Sequence, residues 1–422
     1  MQAQENLSLQ DAISTTLENN FQIKIVALNQ EIAENNNSWG EAGRFPTVNL
    51  GMGQNQSFAF RDNPLSFANG HFNTVSSVPT INLNWLLFGG FRVNITKQKL
   101  GQLEELSNGN SQLIIENTLQ ALILNYNNCL LEKARLQSLK DNLEISRIRY
   151  DYDQDKKSMG LISSYDVLQS KNNHLTDSSQ FLLQNQVYES SVRSLNQIMG
   201  SEINKQYLFT DSLSFELNEY DEESIFQESV KNNTNLKNQL LSTEIKRSEI
   251  GISKSYFYPQ VELQAGGSYN NQNIYSKEFG SGVGNSYDYY VNFTLSWTIY
   301  NGGKIKRNFE NSKLMLKIEE LTYDEQKLRM EKEVRNAYHR YKNELQIYNV
   351  ASENLETSRL NLQLTKERYQ IGQINSFDFR KVQNTLLLSE LQLYNSMFKL
   401  IEYNTELARL SGNIISSTEN KE

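Results

Sequence analysis

The stretch Met159-Gly160-Leu161-Ile162-Ser163-Ser164-Tyr165-Asp166-Val167 returns 212 residues later as Ile371-Gly372-Gln373-Ile374-Asn375-Ser376-Phe377-Asp378-Phe379. Both copies read apolar–Gly–x–Ile–polar–Ser–aromatic–Asp–apolar. The glycine suits the end of a helix, where the chain needs positive φ. The Ser or Asn that follows suits the N-cap of a new helix. The pattern predicts one helix–turn–helix plan written twice.

Proline marks the rest of the plan. The chain has only Pro46, Pro64, Pro79 and Pro259, so the stretches after Pro79 and after Pro259 can hold long helices. Pro46 and Pro259 close matching segments, Ala42–Pro46 and Ser255–Pro259. Asn19-Asn20 answers Asn232-Asn233, Gly89-Gly90 answers Gly302-Gly303, and Gly200 answers Gly412 at nearly the same offset. An internal duplication accounts for this. The first repeat is expected over 1–210 and the second over 211–412, with the boundary near 205–220 and a frayed polar tail over 413–422.

Each repeat is read as five elements. An amphipathic helix opens it, over 8–43 and 222–257, with Ser8 and Asp11 spaced as a capping box. Proline then turns helix into strand. Strands are expected over 46–60 and 75–88, around a loop at 61–74, and over 259–272 and 287–300. Val48, Leu50 and Met52 alternate with Asn49, Gly51 and Gly53; Ile81, Leu83, Trp85 and Leu87 alternate with Asn82 and Asn84. In the second repeat Val261, Leu263 and Ala265 alternate with Glu262 and Gln264, and Val291, Phe293, Leu295, Trp297 and Ile299 with Asn292, Thr294, Ser296 and Thr298. A period of two means strands with one apolar and one wet face.

Helices of some 65 residues follow, over 92–158 and 304–370, about 100 Å each at about 1.5 Å per residue. Val334, Tyr341, Tyr348, Leu355, Leu362 and Tyr369 are seven apart, and so are Leu122, Cys129, Leu136, Leu143, Tyr150 and Lys157. That period predicts left-handed coiled coils. Return helices complete each repeat over 164–199 and 376–411.

Composition narrows the class. Hydrophobic residues make up 38% of 422 residues and mean hydropathy is −0.60, too polar for one large round core. The 10% of aromatics argue against disorder. A net charge of −8 leaves no basic footprint for nucleic acid. The single Cys129 excludes an internal disulfide and a Cys-rich metal site. No apolar run reaches the roughly 18 residues of a membrane-spanning helix. The opening Met-Gln-Ala-Gln reads as a start residue set before a mature N-terminus, its secretion signal removed. His71, His174 and His339 fall on different elements, and no catalytic, cofactor or metal motif accompanies them. An enzyme is not expected, nor a cofactor.

The strands carry the functional argument. The apolar residues of the helices are taken up by heptad seams. The apolar face of the sheet then needs another cover, and lipid on one face with water on the other is the pattern of a transmembrane β-barrel. Strands in hydrocarbon must close. Four cannot, so several chains share one barrel: eight strands from two chains fill their own interior, and twelve from three leave room for water. The membrane-facing residues are then Leu83, Trp85, Phe293, Leu295 and Trp297, the tryptophans at a membrane interface. A soluble coiled-coil scaffold with a small sheet is the alternative of a different class.

The duplicated order helix–Pro–strand–loop–strand–Gly-Gly–long helix–Gly-turn–helix resembles the TolC-type outer-membrane factors of bacterial efflux and secretion, over nearly the whole chain. The Leu-Glu-Asn-Asn segment at 17–20 and the turns at 159–167 and 371–379 also carry it. The resemblance implies a mainly α fold with a β-barrel part: a homotrimer with a twelve-stranded barrel in the outer membrane of a Gram-negative bacterium, continued by a twelve-helix periplasmic barrel. It implies a passive exit duct of a tripartite pump. Partners would be a periplasmic adaptor, an inner-membrane pump and outer-membrane lipid. The outer channel of a type I secretion system is the alternative within the family. Met159, Gly160, Leu161, Ser163, Ile371, Gly372, Gln373 and Asn375 would meet the adaptor. Asp166, Asp378, Lys381 and Tyr369 would form the gate. Asp378 matches the first of two acidic residues ringing the entrance in the family, whereas Lys381 stands in place of the second. Tyr369 matches a tyrosine that holds family members closed, and the basic residue some members carry in this turn is Ile374 here. By spacing alone, Asp166 and Asp378 are first-turn acids favourable to a helix N-terminus.

Overall fold

The computed structural model describes residues 5–63, 69–215 and 217–415. Part of the loop expected at 61–74, with Pro64, lies outside the described residues, as do 1–4 and 416–422. In chain order the elements are β1 (Glu5–Leu7), α1 (Leu9–Asn19), α2 (Phe21–Asn36), β2 (Thr47–Arg61), β3 (Gly70–Gly89), α3 (Arg92–Ser158), α4 (Ser164–Met199), β4 (Tyr207–Phe209), α5 (Glu222–Asn232), α6 (Thr234–Ser255), β5 (Gln260–Ser276), β6 (Gly280–Ser296), α7 (Lys304–Gln370) and α8 (Ser376–Leu410). The chain forms two compact units, each built from both repeats: one from 1–29, 108–238 and 324–422, the other from 30–107 and 239–323.

The opening helix of each repeat is not continuous, contrary to the expectation of 8–43 and 222–257. α1 ends at Asn20 and α5 at Asn233, where ψ is 128° and 119°. The asparagines break the helices at equivalent positions. Asn20 Oδ1 accepts from the backbone N–H of Gln22 and Ile23, and its Nδ2 donates to Ile198 O at 2.7 Å. Asn233 accepts from Leu236 N and donates to Leu410 O at 3.1 Å. Asparagine competes with the backbone for hydrogen bonds, so it ends one helix and caps the next. The capping box at Ser8 and Asp11 is formed, and the two serine bonds hold the Asp11 carboxyl below the usual carboxylate range.

The helical unit has its main core around Leu119, Leu122, Tyr126, Val192, Leu195 and Met199. A small parallel sheet joins β1 to β4 and contributes Leu7, Tyr207 and Phe209; strands of three residues give no readable alternation, so sequence analysis missed them. Ile414 is fully buried in this core, so the chain packs at least to there and does not fray from 413.

In the other unit, β2-β3-β5-β6 form one antiparallel sheet in that order, and no described strand pairs with the outer edge of β2 or β6. The register sets Val48 opposite Leu83, Leu83 opposite Ala265, and Ala265 opposite Val291. It likewise sets Trp85 opposite Leu263 and Leu263 opposite Phe293, so one face is apolar. A bulge between Leu86 and Phe88 removes Leu87 from the alternation and brings Phe88 opposite Val261. On the wet face Tyr290 reaches across β5 to Asn82 Oδ1 at 3.0 Å; a Cβ at Gly266 would come within 2.8 Å of the Tyr290 ring, so glycine opens that path. The strands run longer than expected at the loop ends, whereas β6 stops at Ser296. Trp297 therefore lies one residue past the strand. Its indole donates to Phe257 O at 3.1 Å, as that of Trp85 donates to Arg44 O at 2.8 Å. Each tryptophan is tied to the backbone two residues before the proline that opens the strand pair.

Candidate functional site

The two Gly turns are built alike. Gly160 and Gly372 both have φ of 76°. Leu161 N donates to Lys156 O and Gly160 N to Lys157 O, and the second turn repeats both bonds at Gln373 and Gly372. This pairing closes the orphan carbonyls of a helix end with a left-handed residue. Nothing lies within 4 Å of a Cβ added at either glycine, so the backbone angle alone requires them.

Ser163 and Asn375 then cap α4 and α8. Asp166 is held by its own cap: its Oδ2 accepts from Ser163 N at 3.1 Å and Ser163 Oγ at 2.7 Å. Asp378 and Lys381 are exposed. The remaining turn residues stand in solvent, with Met159, Leu161 and Ile371 between 67 and 71% exposed and Ser163, Gly372, Gln373 and Asn375 also exposed.

Of the four expected gate residues, only Tyr369 is buried and bonded across helices. Its hydroxyl donates to Asp153 Oδ1 at 2.5 Å. The other oxygen of Asp153 accepts from Ser376 Oγ at 3.2 Å, and Tyr152 donates to Gln370 O at 3.1 Å. Lys156 lies over the rings of both Tyr152 and Tyr369. Burial and then the Asp153 carboxylate raise the Tyr369 hydroxyl far above its ordinary value, so it remains a donor.

The contact continues up the helices. Arg380 grips Asp177 with two bonds of 2.6 Å, and Asp177 is fully buried. Gln383 donates to Asn142 Oδ1 at 2.8 Å and accepts from Arg149 Nη1 at 3.3 Å. Burial first, then the charge of Arg380, lowers the pKa of Arg149, which is 2% exposed. Residues 142, 146, 149 and 153 of α3 thus form a buried seam of Asn, Ser, Arg and Asp. Sequence analysis put Leu143, Tyr150 and Lys157 on the seam here; Leu143 and Tyr150 are half-buried and Lys157 is exposed. Hydrophobic periodicity follows apolar residues and steps past a polar seam one position away. The missed signal was the spacing of four, three and four among these polar residues.

Polar bonds therefore join the α7–α8 hairpin to the α3–α4 hairpin near the turns. A neutral bond contributes about 1 kcal/mol net and a charged one about 1.5–3. Removing one partner of the buried ion pair costs about 3–5 kcal/mol. Such a contact is specific in geometry and modest in total strength.

Among the described residues no group of His, Cys, Asp and Glu could hold a metal ion, and no helix is long and apolar enough to cross a membrane. The sequence profile of the family described as outer membrane efflux protein matches residues 12–201 and 225–413. A search of curated proteins finds no match. Solved structures agree in fold. The Campylobacter jejuni CmeC outer membrane channel superposes with a TM-score of 0.79 at 16% identity, covering 96% of this chain and 86% of that one. The Vibrio cholerae outer membrane protein VceC gives 0.74 at 14% identity, covering 96% of each chain. The open state of the Neisseria gonorrhoeae MtrE outer membrane channel gives 0.71 at 17%, covering 96% and 89%.

Proposed function

Because the chain belongs to the outer membrane efflux protein family, we propose that it is the passive exit duct of a tripartite efflux pump, gated where its helical hairpins turn. Three copies close a twelve-stranded barrel in the outer membrane of a Gram-negative bacterium, and their helices continue the conduit into the periplasm. The observation that carries this reading is the four-stranded sheet, with one apolar face and two outer edges that no strand among the described residues pairs with. Neither is tolerated alone: the face needs a cover and the edges need strands. Three such sheets joined edge to edge remove every edge and enclose a wet lumen.

Exposed heptad seams support the same assembly. Leu168, Leu175 and Leu182 on α4 are 55–65% exposed, and Val350 and Leu364 on α7, with Ile371 just past its end, are 57–69% exposed. The helices run in opposite directions relative to the turns, so α4 of one copy can pair with α7 of the next. Such a heterologous contact closes into a ring.

Gating follows from the polar seam. The bonds of Asp153, Asp177, Asn142 and Arg149 hold α7–α8 against α3–α4, and their exchange for water is within reach of an adaptor's binding energy. The exposed turn residues, with Met159, Leu161 and Ile371, are the surface such an adaptor would meet. In this reading the energy for transport comes from the inner-membrane pump.

Single-channel conductance in planar bilayers tests this, comparing wild type with Asp153→Asn and with Asp166→Ala/Asp378→Ala. The expected result is small, infrequent steps in wild type, larger or more frequent steps with Asp153→Asn, and little change with the cap-residue pair. Absence of steps from every variant, after insertion is confirmed, overturns the duct; steps insensitive to Asp153→Asn overturn the gate.

A further inference from the structure

The charge of the chain is −8, yet cations gather at one level of the sheet-bearing unit. Residues 88–95, 252–258 and 297–313 carry Arg92, Lys254, Lys304, Lys306, Arg307 and Lys313, against the single acid Glu310. Contacts join these three segments. The Phe91 ring meets those of Phe88 and Tyr258, Trp297 donates to Phe257 O, and Phe257 packs edge-on against Phe309. Glu310 is taken by Lys313 at 3.1 Å. Arg92 lies over the ring of Tyr256. Lys254, Lys304, Lys306 and Arg307 are exposed.

Arg307 Nη1 donates to Gly302 O at 2.9 Å and Arg92 Nη1 to the Tyr256 hydroxyl at 3.3 Å, and two further features single out the belt. Lys304, Lys306 and Arg307 occupy the first turn of α7, where positive charge opposes the helix dipole. Phe91 is the one non-glycine with positive φ among the described residues, at 68°, and its ring is 61% exposed. The matching turn of the second repeat takes the same left-handed pair at Gly302 and Gly303, so the turn sets the angle, and it is the bulky residue in place of glycine that points to a role for the side chain. The belt also continues the apolar face of the sheet directly: Phe293, Leu295, Trp297, Ile299 and Tyr300 are 60–84% exposed and lead straight to Lys304. Aromatic rings beside cations, at the end of an apolar strand face, match a boundary where acyl chains give way to phosphate.

We infer that this belt binds anionic glycerophospholipid headgroups in the leaflet at the helix-proximal end of the sheet. The rings seat at the acyl–headgroup boundary, and Lys304, Lys306 and Arg307 contact the phosphates. The inference rests on the outer-membrane reading above. It adds a lipid preference that an uncharged aromatic girdle would not have.

All three tryptophans of the chain, Trp39, Trp85 and Trp297, lie in this unit, and Trp297 is itself in the belt. Full-length protein carrying Trp39→Phe and Trp85→Phe keeps Trp297 as its only indole emitter. It is reconstituted in bilayers doped with brominated phosphatidylglycerol or brominated phosphatidylcholine, and quenching is compared. The expected result is several-fold stronger apparent binding of phosphatidylglycerol, lost in about 0.5 M salt as the Debye length shrinks. Lys304→Gln/Lys306→Gln/Arg307→Gln should abolish that preference at low salt, leaving the two lipids equal, while quenching by phosphatidylcholine persists. Equal quenching by both lipids in the protein with its cations intact overturns the inference and leaves the membrane reading standing. No quenching by either lipid overturns both.

Discussion

Asp153 and Asp166 illustrate how neighbouring carboxylates divide roles. Asp166 satisfies the N-terminus of its own helix through Ser163, which a short local motif can encode. Asp153 accepts from Tyr369 and Ser376, residues more than two hundred positions away. Local spacing reveals the first and not the second. The turn glycines are a further residue-scale case. Gly160→Leu/Gly372→Leu meets open space, so it strains the backbone angle by about 1–2 kcal/mol per site without a steric clash. The expected outcome is intact oligomers by native electrophoresis with drug efflux lost in a deletion strain. Wild-type efflux from that double variant excludes adaptor docking at the turns.

At the scale of elements, α4 and α8 hold equivalent places in the two repeats and meet different neighbours. Leu168 is 60% exposed, whereas its counterpart Arg380 is largely buried against Asp177. One helix therefore leaves an apolar seam exposed, whereas the matching place on the other is spent on an ion pair within the chain. Burying three leucines is worth roughly 5 kcal/mol per seam. Leu168→Glu/Leu175→Glu/Leu182→Glu should leave the helical circular dichroism of the chain unchanged and abolish the oligomer in light scattering. A persisting oligomer removes this seam from the assembly.

For the whole molecule the decisive fact is that, among the described residues, no strand pairs with the outer edge of β2 or of β6. Closure between copies predicts that a cysteine at Asn49 of β2, scanned against successive cysteines along β6 in a Cys129→Ser background, yields one strongly cross-linked register and a ladder ending at three chains. Cys129 is buried and its thiol is pushed up to about 12, first by desolvation, so it adds little background even where retained. No interchain product at any register excludes edge-to-edge closure. Fold class was legible because strand alternation and heptads are carried by apolar residues at fixed periods. The breaks at Asn20 and Asn233 were quoted as repeat markers and not read as breaks, since a single polar residue leaves the apolar period intact on both sides.

The sequence by itself determined the local geometry: the Gly turns, the caps at Ser163 and Asn375, the long helices and the alternating strands. Each depends on residues within a few positions, where spacing and backbone preference act directly. Only the tertiary structure decided which polar residues meet. The seam of Asn142, Ser146, Arg149 and Asp153 has no apolar period to announce it, and its partners on α7 and α8 come from distant chain. A buried hydrogen bond or ion pair depends on the position and angle of both groups, which only the packed helices supply.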